Sequence, residues 1–253
     1  MVAITGSASG IGLATAKLLA SRGAILTLAD SRKEPLETTV NQIREEFPNT
    51  KVHARQVNVI NAHEVASWLD ECISRFKKID GAANLAGTIG SSILLKNIAE
   101  LSDEDFDSVI NVNVKGVFNC LRAELQRMQR GASIVNAASV AGLIGAKNCA
   151  PYCTSKHAVI GLTRTAANEF GNSNIRVNAI APGGIETPML EQIQTNDQKL
   201  DGGSTKGDST ARISLGRAGK PLEIAKLIAF LLSEDSSYTT GAVYTADGGF
   251  SSA

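Results

Sequence analysis

A chain of 253 residues in which 25 lysines and arginines balance 25 aspartates and glutamates carries no net charge, which argues against nucleic acid or an anionic membrane as its main partner. Four cysteines (Cys72, Cys120, Cys149, Cys153) with no C-x-x-C pair, and three histidines that do not cluster, speak against a disulfide framework or a zinc site. No apolar run approaches the ~18 residues of a membrane helix, and the sequence opens at once on strand-like residues without a charged leader, so a cytoplasmic protein is expected.

Taken in chain order, short runs rich in Val, Ile and Ala alternate with longer segments of helical period. The runs VAIT, AILTLAD, KVHARQVNV, IDGAANLAG, ASIVNAAS, IRVNAIAPG and AVYTADGG are the predicted strands. Between them lie amphipathic stretches. Residues 11–22 place Ile11, Ala14, Leu18 and Leu19 on one face, HEVASWLDECISRF packs Trp68, and LSDEDF starts a helix with Ser102 as cap and Asp105 three residues on. A last helix runs from Lys220 to Asp235. This alternation implies an α/β fold, a doubly wound seven-stranded parallel sheet of Rossmann-like form, as one domain over residues 1–253. Residues 191–212 are polar and Gly-rich with weak periodicity, and predict a mobile excursion, a substrate lid spanning about 188–215.

The stretch TGSASGIG follows the first strand and opens the first helix, with Gly6, Gly10 and Gly12. Glycine lets the backbone turn sharply and approach a pyrophosphate, while free N–H groups at a helix start attract the anion. Strand, turn and helix in this order predict a nucleotide site, although the spacing is G-x-x-x-G-x-G and no Lys-Ser/Thr pair of a P-loop follows. Asp30 closes the second predicted strand, near the ~20-residue offset at which an acidic residue meets an adenosine ribose. A carboxylate there accepts from both ribose hydroxyls and repels a 2'-phosphate, which favours NAD. Arg32, two residues on, leaves NADP possible.

Tyr152 and Lys156, four residues apart in YCTSKHAVIGLTRTAANEF, project from one face of a helix. An ammonium beside a phenol favours phenolate, and bringing tyrosine from ~10 toward ~7 takes about 4 kcal/mol, which a lysine and a bound pyridinium together would supply in a poorly solvated cleft. Ser139 ends a predicted strand, where open α/β sheets place their ligands. Its hydroxyl is positioned to hold a substrate oxygen while Tyr152 exchanges a proton with it. Cys149 and Cys153 read as small buried hydrophobes, and His157 reads as structural.

These residues together resemble the short-chain dehydrogenase/reductase family in its compact single-domain form, from Val2 to Gly249. TGSASGIG resembles the family's TGxxxGIG, and NLAG at Asn84 to Gly87 its NNAG, with Leu85 as a departure. Ser139 lies thirteen residues before Tyr152, YCTSK is similar to YxxxK, Asn113 in INVNVKG matches an active-site asparagine, and PGGIET at Pro182 to Thr187 matches the segment beside the nicotinamide. The resemblance implies Tyr152 as general acid/base, Lys156 lowering its pKa and binding the nicotinamide ribose, Ser139 polarising the substrate oxygen, and Asn113 anchoring a proton-relay water. It implies Gly6, Ser9, Gly10, Ile11 and Gly12 at the pyrophosphate, Asp30 at the ribose, and Asn58, Val59 and Asn84 at the adenine side. Ala86, Gly87, Pro182, Gly183, Ile185 and Thr187 would complete the cofactor site, with Ile185 and Thr187 at the carboxamide. Asn58 stands where the family usually carries Asp; its amide still donates and accepts. Hydride transfer between NAD and a small secondary alcohol or ketone, without metal, is the implied activity, and a homotetramer or homodimer the implied assembly. Rival readings are an NADPH-dependent ketoreductase and a nucleotide-binding regulator without turnover. The walls TIGSSILLKN and VAGLIGAKN suit a moderately apolar ligand.

Overall fold

Each predicted run folds into a strand, and the five strands inside the sheet are covered on both faces, which is why their runs read as near-continuous rather than alternating. A computed structural model describes residues 1–200 and 212–252. Its strands are β1 (Val2–Thr5), β2 (Leu26–Asp30), β3 (Val52–Gln56), β4 (Gly81–Asn84), β5 (Ser133–Ala137), β6 (Arg176–Pro182) and β7 (Val243–Ala246). They form one sheet in the order β3-β2-β1-β4-β5-β6-β7, with all neighbours parallel. The helices are α1 (Gly10–Ser21), α2 (Lys33–Glu46), α3 (Ala62–Phe76), α4 (Asp103–Ile110), α5 (Gly116–Leu125), α6 (Ala150–Phe170), α7 (Pro188–Leu200) and α8 (Pro221–Leu232). The expected doubly wound architecture is the one observed.

Successive strand residues point to opposite faces, so the sheet divides the interior into two cores. Ala3, Ile134 and Val177 face one built with Trp68 and Leu69 of α3, Leu121 of α5 and Val159 of α6. Ile4, Val135 and Ile180 face the other, with Leu19 of α1, Ile43 of α2 and Ile228 of α8. Helix α3 shows how local signals place an element. Asn61 caps it by accepting from the N–H groups of His63 (3.0 Å) and Glu64 (3.4 Å). Val65, Trp68, Leu69 and Cys72 then recur on one face, all fully buried. The Trp68 Nε1–H donates to Thr27 Oγ1 at 2.8 Å, so the indole is buried without an orphaned polar atom. Ser102 starts α4 as expected, accepting from Asp105 N at 3.2 Å.

Two features position the site. Strands β1 and β4 lie side by side while their crossovers run to opposite edges, which opens a crevice at their carboxyl ends. Thr5 Oγ1 fastens those ends together by accepting from Leu85 N (3.1 Å) and Ala86 N (3.3 Å). The second feature is one the weak periodicity did not reveal: within the expected excursion, residues 188–200 are the thirteen-residue helix α7. Its inward stripe is Met189, Ile193 and Asn196, and because the third member is an asparagine the apolar period is masked. Gln192 Nε2 donates to Gly90 O (3.2 Å) and Asn196 Nδ2 to Ile93 O (3.1 Å), tying α7 to the segment after β4. Residues 201–211, the Gly-rich part of the expected lid, lie outside the described residues. No helix among the described residues is long and apolar enough to cross a membrane.

Candidate active site

The turn after β1 can be built only from glycine at two of its positions. Gly6 has φ +66, and a Cβ there would lie 2.7 Å from Ala86 N; a Cβ on Gly12 would lie 2.0 Å from Gly6 O. Ser9 precedes α1 without capping it through its side chain, so the first-turn N–H groups and the positive helix end face the crevice. A cavity of about 420 Å³ opens there. Of the expected cofactor residues, Gly6, Ser9, Gly10, Ile11, Gly12, Asp30, Asn58, Val59, Ala86, Gly87 and Thr187 border it. Backbone donors, missing Cβ atoms and one carboxylate fit a dinucleotide diphosphate with its ribose.

Asp30 is buried and already hydrogen-bonded. Oδ2 accepts from Ala8 N (3.1 Å), and Oδ1 from Arg32 N (3.0 Å) and Arg32 Nε (3.2 Å). The same guanidinium donates through Nη2 to Ser9 Oγ at 3.0 Å. Arg32 therefore lies along the cavity rim between the carboxylate and the first turn of α1. Asn58, exposed at the rim, spends its Oδ1 on Ile60 N (3.1 Å).

Behind Gly87 stand the four residues expected to carry the chemistry. Helices α4 and α5 run as one, broken by a π-helical turn at Asn111–Lys115, a device that re-aims a single side chain. The side chain it aims is Asn113, fully buried: Oδ1 accepts from Thr88 N (2.8 Å), while Nδ2 donates to Thr88 O (2.8 Å) and Ser155 Oγ (3.0 Å). A Cβ on Gly87 would touch both Asn113 Oδ1 (3.3 Å) and Lys156 Nζ (3.6 Å). Lys156 Nζ donates to Ala137 O at 2.7 Å and lies 5.5 Å from the centre of the Tyr152 ring. Ser139, just past β5, accepts from Ala141 N (3.2 Å), donates to Pro182 O (3.5 Å) and lies near enough to the Tyr152 hydroxyl to act on its acidity.

Burial governs the electrostatics of this group. It pushes the Tyr152 hydroxyl up to about 12, against the smaller opposing effect of the Ser139 hydroxyl. It pulls Lys156 down to about 8. The expected lowering of the tyrosine by its lysine is thus not expressed in this state. Lys156 directs its ammonium at a backbone carbonyl, and desolvation outweighs its field. Around Tyr152 the wall is apolar: Ile89, Ile93, Cys149, Cys153, Met189 and Ile193 form one cluster, with both thiols buried as expected.

Asn113, Ser139, Tyr152 and Lys156 are therefore brought together behind the inner wall of the crevice, which they approach through Gly87 without lining the cavity themselves. The Asn84 side chain is turned inward, off the cavity wall, where Nδ2 donates to Glu124 Oε2 and to Asn136 Oδ1, both at 3.0 Å. As the last residue of β4 its side chain falls on the α5 face of the sheet. Pro182, Gly183 and Ile185 also lie off the main cavity. Pro182 O sits 3.5 Å from Ser139 Oγ, Gly183 N donates to Ala246 O, and Ile185 borders a separate cavity of about 180 Å³ with Gly219 and Ile224. The structure adds Thr88, whose backbone pairs with Asn113, and Met189 and Gln192 of α7 on the cavity wall. Backbone pairing leaves no residue-type signal, so Thr88 was invisible in the sequence. Glu124 was findable, as a carboxylate on the apolar stripe of α5.

A family model described as enoyl-(acyl carrier protein) reductase matches residues 6–251. The short-chain dehydrogenase/reductase aba4 of Botryotinia fuckeliana (strain B05.10) is 47% identical over 251 residues, 99% of this chain and 96% of that one. The crystal structure of levodione reductase superimposes with a TM-score of 0.92 at 38% identity, covering 100% of this chain and 97% of that one. ElxO with NADP bound superimposes with a TM-score of 0.87 at 31% identity, over 100% and 98% of the two chains.

Proposed function

The chain belongs to the short-chain dehydrogenase/reductase family, and from that premise we propose an NAD(H)-linked oxidoreductase that interconverts a secondary alcohol and a ketone on a small organic molecule. The observation that carries the reading is the meeting of Asn113, Ser139, Tyr152 and Lys156 behind the inner wall of a glycine-built nucleotide crevice. The nicotinamide, when bound, supplies the acceptor or donor of a hydride. Ser139 holds the substrate oxygen by hydrogen bond and Tyr152 moves the proton to or from that oxygen. Lys156, still protonated at neutral pH, stabilises the phenolate, and Asn113 holds the Thr88 backbone and the helix turn that shape the inner wall.

Asp30 supports NAD, because a 2'-phosphate would face a buried carboxylate. Arg32 favours a second reading, NADP, since its Nη2 already reaches Ser9 at the mouth of the pyrophosphate turn and a guanidinium binds phosphate well. Titration with NADH and NADPH, followed by reduced-cofactor emission, separates them: a tenfold preference for NADH, about 1.4 kcal/mol, supports Asp30 as selector. A preference for NADPH overturns the NAD assignment and makes carbonyl reduction the working direction. In the same reading α7 is the described part of a lid over about 188–215. A homodimer or homotetramer would pair through the helices starting near residues 103 and 152 and through the last strand; Phe106 of α4 and Phe118 of α5, 37% and 44% exposed, are large apolar side chains on the first of these stretches. A monomer mass by light scattering would exclude that assembly.

A further inference from the structure

Helix α5 presents Val117, Cys120, Leu121 and Glu124 to the interior, so a carboxyl group occupies a position patterned for an apolar side chain. Glu124 is 1% exposed. Its side-chain partner is the amide of Asn84, and among the described residues no cation forms an ion pair with it. That amide is itself peculiar. Its Nδ2 donates twice, to Glu124 Oε2 and Asn136 Oδ1, while its Oδ1 is the one buried side-chain polar atom among the described residues with no partner.

The two anomalies cancel if Glu124 carries a proton. A carboxylate only accepts, whereas a carboxylic acid accepts through one oxygen and donates through the other. An unpartnered acceptor and a bare buried charge are each costly, and one proton removes both. We propose that Glu124 is held as a neutral carboxylic acid in a reciprocal acid–amide pair with Asn84, and that it is a positioning residue for the turn Asn84–Gly87 behind the reacting groups. Burial, which pushes this carboxyl up to about 7, is consistent with the pairing.

The surroundings isolate this titration. The facing side chains are Asn84 from β4 and Asn136 from β5; Asn136 Nδ2 passes the network to Thr163 Oγ1 of α6 at 3.0 Å. None of these titrates. On α5 itself Cys120 stands one turn before, its thiol pushed well above its usual range. On α3 Cys72 is a buried thiol pushed up to about 11, and Asp70 is engaged by Arg127 at 2.7 and 3.0 Å. The link to the site is short. Leu85 and Ala86 hang their N–H groups on Thr5, and Gly87 packs against Asn113 and Lys156.

The direction with pH follows from a folded-state pKa raised above the unfolded 4.5. The stability that the proton contributes is fully present below about 4.5 and is lost as pH rises to about 7. Glutamine reproduces the protonated pair, because its amide also accepts and donates. The test compares the wild-type protein with Glu124→Gln. At pH 6 the wild type should show an infrared protonated-carboxyl stretch that is absent in Glu124→Gln and fades with a midpoint near 7. Its melting temperature should fall between pH 5 and 8 relative to that of Glu124→Gln. NADH affinity should weaken about threefold or more over pH 6.5–8.5 in the wild type beyond any change in Glu124→Gln, since loss of the pair loosens the turn. Absence of the infrared band at pH 6, or a Glu124→Gln protein whose melting and NADH profiles track the wild type, overturns the proposal. The infrared and melting readouts need neither substrate nor turnover, so they stand or fall separately from the proposed reaction.

Discussion

The two ends of the crevice are built from different materials. The outer end, between β1 and α1, is backbone: Gly6 and Gly12 leave no room for a Cβ, and the first turn of α1 presents N–H groups that nothing in its own helix claims. Such a site is complete before any ligand arrives, because its donors cannot rotate away. The inner end is side chain. Tyr152 and Lys156 have been taken out of water, and burial has moved one up to about 12 and the other down to about 8, both away from charge. Bringing the tyrosine from there to neutrality would take about 7 kcal/mol. In the proposed reading a preformed anion site and an electrostatically dormant proton-transfer group thus adjoin one cleft, and the difference teaches that geometry is ready early while acidity waits for further charge.

Four substitutions would break or sharpen that contrast. The largest effect is expected at Tyr152→Phe, which removes the proton and leaves the backbone site intact: turnover should fall by about 10²–10⁴-fold with cofactor affinity unchanged in titration. Turnover near wild type would remove Tyr152 from the chemistry. Next is Lys156→Met. A lysine lowered to about 8 from 10.5 costs stability below pH 8, a cost relieved as pH rises toward 10.5. The variant should therefore lose turnover yet gain up to about 3 kcal/mol at pH 7 by denaturant unfolding. Its advantage should shrink above pH 8; a variant less stable at pH 7 would show that the hydrogen bond to Ala137 O outweighs desolvation.

Gly12→Ala attacks the outer end alone. Its methyl would meet Gly6 O at 2.0 Å, so about 1–3 kcal/mol of stability should be lost and cofactor binding with it. Unchanged cofactor affinity would mean that the turn rearranges freely and is not preformed. Smallest is Asp30→Ala, expected to narrow an NADH preference by about tenfold, or 1.4 kcal/mol, and to free Arg32 from its carboxylate. An unaltered NADH to NADPH ratio would move selectivity elsewhere on the rim.

How far the residues alone could lead depends on whether a signal is local. All seven strands, the glycine turn and the cap at Ser102 follow from short-range rules: apolar period, backbone sterics, and a side chain that reaches an N–H group three residues on. The spacing of Tyr152 and Lys156 likewise determined that they share a face, and the motif set placed Ser139 and Asn113 beside them. Helix α7 was obscured because Asn196 completes its buried stripe, and an asparagine reads as polar until something is seen to cover it.

What only the tertiary structure decided concerns burial and its partners, which no local pattern contains. Asn84 was expected at the adenine edge, and its place as the last residue of β4 turns its side chain toward α5 and Glu124. Lys156 was expected to charge Tyr152 together with a bound pyridinium; by itself its ammonium is directed at the carbonyl of Ala137 and its charge is weakened by the loss of solvent. Period and spacing act over a turn or a strand and are written in the chain; desolvation depends on which distant segments close over a group, so it exists only once β4, β5, α5 and α6 have packed.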